Sequence, residues 1–319
     1  TNERIISAQG TLLDIWNGES GDAVAARVRA DYFDNNPSPE GFRLDFDGVE
    51  NGNAYDDLHL AMHPETRLFV TERGYYDFFL IGPDGDVYYT VEKEADLAVN
   101  LERGALRNTG LAEVYRRAKR ERREGTIAIS DMQSYAPSGA AAAIFMATAL
   151  HDQDGRFIGV IAFQLPTDRI LGIMAYTSGM GETGETYLVG EDQLMRSDSR
   201  FSEASTLLLQ RVDTETVELA LAGQQGAQVV TDYRNVAVMS AYLPLELGDT
   251  RWAVMAEIDR DEIETGAARE RPAMSGLLAL FYGLSLWSAW YWRGRPEHEE
   301  KIQMDDLAFA DMEGGALGD

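Results

Sequence analysis

Cysteine is absent from this 319-residue chain, which excludes disulfide bonds, thiolate catalysis and zinc sites ligated by cysteine. Histidine is scarce, with four residues. His59 and His63 are spaced to share one face of a predicted helix, but the glutamate of a zinc-protease helix is missing between them. Because no third ligand can be assigned, we predict neither a metal site nor a cofactor.

Positively charged residues are also few. Lysine and arginine number 28 against 54 aspartate and glutamate residues, which gives a formal net charge of −26. Such a surface repels phosphate backbones, so nucleic acid is excluded as an expected partner. No P-loop and no serine nucleophile elbow occur, and with so many carboxylates no particular pair has specific support as a glycosidase couple. We predict that the chain is not an enzyme.

Three glycines, Gly179, Gly181 and Gly184, have the G-x-G-x-x-G spacing of a dinucleotide-binding loop. Such a loop must follow a strand and open a helix, so that the helix N-terminus meets the phosphates. Here a helical pattern precedes the glycines and a strand pattern, "ETYLVG", follows them. We therefore interpret the segment as a flexible loop leading into a strand.

One long run without charge lies near the end, over Met274–Trp292. As a helix it would extend roughly 28 Å, close to the hydrocarbon thickness of a bilayer. Tryptophan and tyrosine cluster at its end, followed by Arg293 and Arg295, as in an aromatic belt with basic flanks. The sequence predicts a transmembrane helix over 265–295, an acidic cytoplasmic tail over 296–319, and a large extracytoplasmic part before them.

The first seventy residues show mainly helical spacing of apolar residues, interrupted by a turn-rich stretch. Strand signals then dominate. "YYDFFLIG" and "VYYTVEKE" flank an Asp-Gly turn and predict a β-hairpin. A second series of strands follows Gly184.

The two strand series repeat a pattern. Phe79–Asp84 and Tyr187–Asp192 both read aromatic, two aliphatics, glycine, any residue, aspartate. Further on, "GVIAFQLPTDRI" and "WAVMAEIDRDEI" are each a closing strand that runs into a helix. This order, met twice, predicts two copies of one small sheet module.

Aromatic and polar residues concentrate in the first copy. Aromatic walls with a few converging polar groups are what a small-molecule site requires. An aspartate among tyrosines suits an amine-bearing or polyhydroxyl ligand. We predict the ligand-binding residues to be Tyr76, Phe78, Tyr88, Asp131, Tyr135 and Ser138.

Over roughly residues 1–263 the chain resembles double Cache (dCache) sensor domains, the extracytoplasmic parts of many bacterial chemoreceptors, sensor kinases and cyclases. The segments that carry the resemblance are "YYDFFLIGPDGDVYYTVEKEADLAVNL", "ISDMQSYAPSG" and "TGETYLVGEDQLMRSDSRF". The amino-acid-binding members of the family carry a tyrosine, four further residues and then arginine-x-tryptophan. This motif is not present, so the resemblance does not imply amino-acid recognition.

The resemblance implies an α+β fold with a long N-terminal stalk helix, two tandem PAS-like Cache modules of antiparallel sheet, and a C-terminal transmembrane helix. The expected divisions are N-terminal stalk helices over 1–73, a membrane-distal module over 74–176 that binds the ligand, and a membrane-proximal module over 177–264. It also implies a homodimer or a subunit of a membrane complex, located in the bacterial inner membrane with a large periplasmic or extracellular domain.

Two functions remain open on these grounds. The first is an extracytoplasmic small-molecule sensing module of a signal-transduction receptor. The second is a single-span accessory or scaffold subunit of a larger membrane complex, which would use a Cache-like ectodomain for protein contacts. The family's usual role favours the first, and the short acidic tail favours the second.

Overall fold

Two antiparallel sheets, each flanked by helices, make up most of the fold. The computed structural model describes residues 2–123 and 125–293. Within these residues the α-helices are α1 (Asn2–Gly18), α2 (Gly21–Arg29), α3 (Ala54–Arg73), α4 (Gly110–Glu121), α5 (Asp168–Met174), α6 (Glu215–Leu221) and α7 (Arg260–Arg293). A π-helical turn over Ala30–Asp34 follows α2, and short 3₁₀ helices cover Arg43–Asp45 and Ala136–Ser138.

The first sheet lies within residues 77–165, and the first module is the part of the chain built around this sheet. Its strands are β1 (Asp77–Ile81), β2 (Val87–Thr90), β3 (Ala128–Ile129), β4 (Gln133–Tyr135), β5 (Ala141–His151) and β6 (Phe157–Leu165). The strand order is β2-β1-β6-β5-β3, and β4 pairs with β5. The predicted hairpin is β1–β2, which turns at Pro83–Asp86. Antiparallel pairing throughout agrees with the expected sheet type.

The second sheet lies in the second module. Its strands are β7 (Glu185–Val189), β8 (Gly226–Thr231), β9 (Ala237–Leu247) and β10 (Thr250–Asp259), in the antiparallel order β7-β10-β9-β8. The glycine-rich segment Gly179–Gly184 leads into β7, as the sequence predicts. Residues 1–260, which include both sheets, form one compact unit.

The N-terminal residues form several helices, so the long stalk helix expected from the sequence is found only in part. The first helix, α1, ends at Gly18, and α2 begins at Gly21. The side chain of Asn53 caps α3 by accepting the N–H of Asp56, and Gly74 ends α3 in the left-handed conformation. Both caps fix where α3 starts and stops.

Strand β1 is buried on both of its faces. Phe79 and Ile81 belong to an apolar cluster with α4, whereas Phe78 and Leu80 belong to a second cluster with α1, α2 and α3. Alternate side chains of a strand point to opposite faces, so one strand serves both clusters. This explains why "DFFLI" is apolar at every position after its first residue.

The two repeated segments have the same local structure. Phe79–Ile81 closes β1 and Tyr187–Val189 closes β7. The following glycines make equivalent bonds, because Gly82 N donates to Asp86 O at 2.8 Å and Gly190 N donates to Leu194 O at 2.9 Å. The modules differ in the next element: β2 is a four-residue strand, whereas Met195 forms only an isolated bridge to Val189.

The transmembrane helix predicted within 265–295 is not found. In the second unit, over residues 261–319, the described residues continue helix α7. Although α7 is 34 residues long, the described helices include none that is both long and apolar enough to cross a membrane. The predicted tail, 296–319, lies outside the described residues.

Candidate functional site

An acidic segment follows the β1–β2 hairpin of the first module. Glu92, Glu94 and Asp96 come directly after β2, and Asp77 begins the neighbouring strand β1. The hairpin register, which pairs Phe79 with Thr90, brings the start of β1 beside the end of β2. We call these four residues the acidic cluster.

Asp77 lies at the base of the acidic cluster and is fully buried. Its Oδ1 accepts the backbone N–H groups of Phe78, Val91 and Glu92 at 2.7, 2.9 and 3.1 Å. Its Oδ2 accepts the hydroxyl of Thr90. Both oxygens are therefore used within the protein, and Asp77 fixes the path of the chain as it leaves β2.

Asp96 is also fully buried, but only one of its oxygens has a partner. The hydroxyl of Tyr135 donates to Asp96 Oδ2 at 2.7 Å, while Oδ1 has no hydrogen-bond partner. Tyr135 is held in place by Phe145, whose ring lies 4.8 Å away in an edge-on arrangement. Leaving a buried carboxylate oxygen without a donor costs free energy. Asp96 Oδ1 is therefore the acceptor in this cluster that a donor group of a ligand could satisfy.

Glu94 connects the cluster to the solvent. Its two oxygens accept the hydroxyls of Tyr76 at 2.8 Å and Ser138 at 2.7 Å. Ser138 in turn contacts the buried amide of Gln164. Because Tyr76 is 39% exposed, this end of the cluster reaches the solvent.

Burial and mutual repulsion raise the pKa values of these carboxyl groups. Burial raises the pKa of Asp77 to about 8 and that of Glu92 to about 7. Burial, together with the charges of Asp77 and Glu94, raises the pKa of Asp96 well above its ordinary value. The cluster therefore favours an occupant that brings positive charge.

Lys93 does not bring this positive charge to the open side of the acidic cluster, although it lies within the same segment. Its Nζ is buried and lies 2.9 Å from His63 Nε2, and it donates to Val91 O at 3.2 Å. Burial lowers the pKa of Lys93 to about 7, against the opposing effect of Asp77 and Glu92. The lysine is thus turned toward α3, and the open side of the cluster keeps its negative character.

The two histidines considered for a metal site are structural. His59 Nδ1 contacts Asp47 O at 2.6 Å, and His63 Nδ1 contacts the hydroxyl of Tyr89 at 2.6 Å. Their rings stack 4.5 Å apart. Among the described residues no group of three or more histidine, aspartate or glutamate side chains could hold a metal ion.

Three of the six predicted site residues belong to this site. Tyr76, Tyr135 and Ser138 all donate to the acidic cluster. Phe78 and Tyr88 instead pack in the apolar cluster beneath α1, where the rings of Tyr88 and Trp16 lie 4.3 Å apart. They are aromatic core residues because their strand positions face the N-terminal helices.

Asp131 lies elsewhere, between the two modules. Its Oδ2 accepts Arg196 Nη2 at 2.7 Å, and its Oδ1 accepts the indole N–H of Trp252 at 2.8 Å. Arg196 and Trp252 are both about 1% exposed. We call these three residues the module junction. Both carboxylate oxygens of Asp131 already accept hydrogen bonds, so the position of Asp131 gives no support to its predicted ligand-binding role.

A separate cleft of about 450 Å³ lies between α1, α3 and β1, with Phe78 in its wall. Most of its lining is apolar, and its two charged residues, Arg4 and Glu65, pair with each other. Phe78 and Asp77 point to opposite faces of β1, so the cleft is not part of the acidic cluster.

The acidic cluster was missed by sequence reasoning. "VEKEADLAVN" reads as a charged, solvent-exposed stretch, and the sequence contains 54 acidic residues among which burial is not visible. One signal was available: Asp77 and Glu185 each stand two residues before the repeated aromatic residue. A carboxylate at the same position of both copies could have been weighed as a shared feature.

Asp77 gives a testable pH dependence. Its carboxyl stays protonated in the folded state up to about pH 8, but it ionises near pH 4 when unfolded. Its contribution to stability is therefore fully present below about pH 4 and is lost as pH rises through about 8. We expect the free energy of unfolding of Asp77→Asn, relative to that of the wild type, to increase by up to about 1.4 kcal/mol per pH unit between pH 5 and 8.

Urea unfolding at pH 5, 6, 7 and 8 and constant ionic strength measures this difference. Asp57→Asn, which changes an exposed aspartate on α3, is the matched control. A stability difference between Asp77→Asn and wild type that stays constant across this range would contradict the buried, protonated state of Asp77.

Comparison with known proteins finds similarity to solved structures. No protein-family model matches the chain, and no curated protein sequence matches it significantly. The ligand-binding domain of the Pseudomonas fluorescens chemoreceptor CtaA, solved with L-serine, is 15% identical, covers 79% of this chain and 93% of its own, and gives a TM-score of 0.43.

Two further similar structures are sensor domains of chemoreceptors. The ligand-binding domain of the Pseudomonas aeruginosa chemoreceptor PctC, solved with GABA, is 16% identical, covers 77% of this chain and 99% of its own, and has a TM-score of 0.45. The periplasmic sensory domain of the Campylobacter jejuni chemoreceptor Tlp1 is 12% identical, with 75% and 90% coverage and a TM-score of 0.46. The structural neighbours are thus sensory domains, of the kind that the sequence resembles.

Proposed function

We propose that this chain is the extracytoplasmic sensing part of a bacterial signal-transduction receptor, and that its first module binds a small molecule carrying a cationic amine. The observation that supports the proposal is the buried Asp96 carboxylate, which has one oxygen without a donor. A protein interior rarely leaves such a group unpaired unless a ligand or water completes it.

A protonated amine meets the requirements of the site. It supplies several N–H donors and a positive charge in one group, whereas Asp96 and Glu94 supply carboxyl oxygens as acceptors. Tyr135 positions the Asp96 carboxyl group through its hydroxyl. The pair Tyr76 and Ser138 sits at the open end, where the rest of the ligand would lie.

The sensing role calls for binding without chemical conversion. The acidic cluster pairs its carboxylates with hydroxyls of tyrosine and serine, which recognise a ligand but form no base-activated nucleophile. Binding or release of the ligand would alter β1 and β2, whose side chains Phe78 and Tyr88 pack against the N-terminal helices. This route would carry a signal toward α1.

The test is a thermal-shift screen of amine-bearing metabolites, each paired with its uncharged alcohol analogue. We expect stabilisation by amines and none by their analogues. In titration calorimetry of a confirmed ligand, Asp96→Asn should weaken binding roughly 10- to 150-fold, since a hydrogen bond to a charged group contributes about 1.5–3 kcal/mol. Tyr135→Phe should also weaken it, and Asp57→Asn is the control.

A ligand whose affinity is unchanged by Asp96→Asn and Tyr135→Phe would disprove the site. If no amine or other metabolite stabilises the protein, the sensing function fails, and the accessory-subunit function gains support.

A further inference from the structure

The second module contains its own buried pair of carboxyl groups. Glu185 on β7 and Glu257 on β10 are paired across the antiparallel ladder, and each is 3% exposed. On the other side of Glu257, the register partner on β9 is Ser240. Paired residues of neighbouring strands project from the same face, so these three polar side chains form one row across the sheet.

The two glutamates differ in how they are satisfied. Glu185 accepts the hydroxyls of Ser199 at 3.0 Å and of Tyr233. Neither oxygen of Glu257 has a hydrogen-bond partner, and the hydroxyl of Tyr187 has none either. Tyr187 lies on the same face of β7 as Glu185, two residues further along. Three buried polar atoms without partners therefore belong to one small region, at Glu257 and Tyr187.

The surrounding charge is negative. Burial raises the pKa of Glu257, and the charges of Asp232 and Glu185 add to that shift. The hydroxyls of Ser240 and Tyr187 lie near enough to Glu257 to oppose it, but neither meets the geometry of a hydrogen bond to that carboxyl. The guanidinium of Arg234 is occupied, because it pairs with Asp232 and with Asp259 at 2.6 and 2.8 Å. The requirement at Glu257 is therefore for hydrogen-bond donors that also carry positive charge.

The position within the module matches that of the first-module site. Glu185 stands two residues before Tyr187, just as Asp77 stands two residues before Phe79. Both carboxyl groups open the first strand of their sheet, and both are buried. The glycine-rich segment that ends at Gly184 leads directly to Glu185. Gly179, Gly181 and Glu182 in that segment are exposed, so the chain reaches solvent within a few residues of the row.

From this geometry we propose that the second module holds a second ligand site, which binds a small primary ammonium group. The ammonium donates to the Glu257 carboxylate and to the Tyr187 hydroxyl oxygen, and its charge is balanced by Glu257 and Glu185. The substituent on the nitrogen is small, because the row continues into a packed core that includes Met255 and Val217. This site is separate from the acidic cluster of the first module.

Methylammonium is the probe, and methyl resonances of ¹³C-methyl-methionine report its position. Met255 is two residues from Glu257, is the register partner of Tyr187 and is fully buried, so its methyl group senses the site. We expect a saturable shift of the Met255 resonance with methylammonium chloride. Tetramethylammonium chloride at the same ionic strength has the charge but no N–H donors, and should give no such shift.

Two variants separate this site from that of the first module. Glu257→Gln should weaken the Met255 response at least tenfold, and Tyr187→Phe, which removes only an unpartnered hydroxyl, should weaken it less. Asp96→Asn, in the acidic cluster, should leave it unchanged. If Glu257→Gln does not fold, Tyr187→Phe and Glu185→Gln carry the test.

The proposal is overturned if methylammonium leaves Met255 unshifted, or if the shift persists in Glu257→Gln. A shift that is lost in Asp96→Asn but kept in Glu257→Gln would also overturn it, because the amine would then act from the first module. None of these results affects the amine site at Asp96.

Discussion

Replacing Asp131 by alanine is expected to destabilise residues 1–260 by about 3 kcal/mol, because it leaves the buried Arg196 guanidinium with only the half-exposed carboxylate of Asp192 as an ionic partner. Arg196 has a side chain that is only 1% exposed, and Asp131 holds it through both carboxylate oxygens. The same substitution removes the acceptor of the Trp252 indole N–H. For a unit of this size the loss corresponds to a fall in Tm of roughly 6–12 °C.

The neighbouring pair supplies the matched control. Asp192 also contacts Arg196, at 2.9 Å, but its side chain is 50% exposed. An exposed ion pair contributes about 0–1 kcal/mol, so Asp192→Ala should change stability little. The comparison thus keeps the guanidinium constant, while its two partners differ in burial and in the indole hydrogen bond that Asp131 accepts.

A double variant isolates the cause. In Asp131→Ala/Arg196→Met no charge is left buried, so much of the loss should be recovered. Urea unfolding of the four proteins of this cycle gives the coupling free energy. If Asp131→Ala is as stable as the wild type, or if Arg196→Met recovers nothing, the junction is not held by this ion pair.

The module junction also bears on how sensing would be transmitted. Asp131 belongs to the first module, whereas Arg196 and Trp252 belong to the second, and apolar side chains surround them. Met132 and Ile144 from the first module pack there with Leu188 from the second. Under the proposed sensing function, a change at the acidic cluster would reach the second sheet through β4, which carries Tyr135 and begins two residues after Asp131.

Local patterns predicted the parts of the fold that depend on local sequence. The β1–β2 hairpin and the repeated hexapeptides were found because aromatic and β-branched runs around an Asp-Gly turn favour a hairpin wherever they occur. The same reasoning placed Gly179–Gly184 before a strand and so excluded a dinucleotide loop. In each case the deciding residues are within about ten positions of one another.

The candidate site depends on contacts that are distant in sequence, and there the predictions were less complete. Tyr135 reaches Asp96 across 39 positions, and Arg196 reaches Asp131 across 65. No periodicity shows that Asp131 will meet an arginine, or that Asp96 will be buried. Phe78 and Tyr88 were expected in the site because aromatic side chains on the hairpin could form its walls, and the sequence does not show which faces of β1 and β2 meet helices.

The attachment of α1 to the first sheet depends on a glycine, and Gly159→Ala is expected to destabilise the protein by about 2–6 kcal/mol. Gln9 of α1 is fully buried, and its Nε2 donates to Ile81 O at 3.1 Å and Ile158 O at 3.0 Å. A Cβ on Gly159 would lie 2.2 Å from that nitrogen and 2.3 Å from Ile81 O. Its φ of +146° adds strain for any other residue.

Gly155→Ala separates strain from collision. Gly155 lies in the β5–β6 turn with a φ of +77°, and a Cβ there would meet nothing within 4 Å. Its substitution should therefore cost only the conformational term, about 1–2 kcal/mol. The excess loss in Gly159→Ala, measured by urea unfolding, is the contribution of close approach between α1 and the sheet.

Adding Gln9→Ala to Gly159→Ala identifies the colliding atom. Gln9 is a flexible side chain that can be removed, whereas Ile81 O is backbone in β1 and cannot move without breaking the ladder to β6. We therefore expect Gln9→Ala/Gly159→Ala to remain at least as unstable as Gly159→Ala. Recovery of stability in the double variant would show that the side chain alone was in the way. Equal losses of stability in Gly159→Ala and Gly155→Ala would show that the close approach of α1 to the sheet does not depend on the absence of a side chain at position 159.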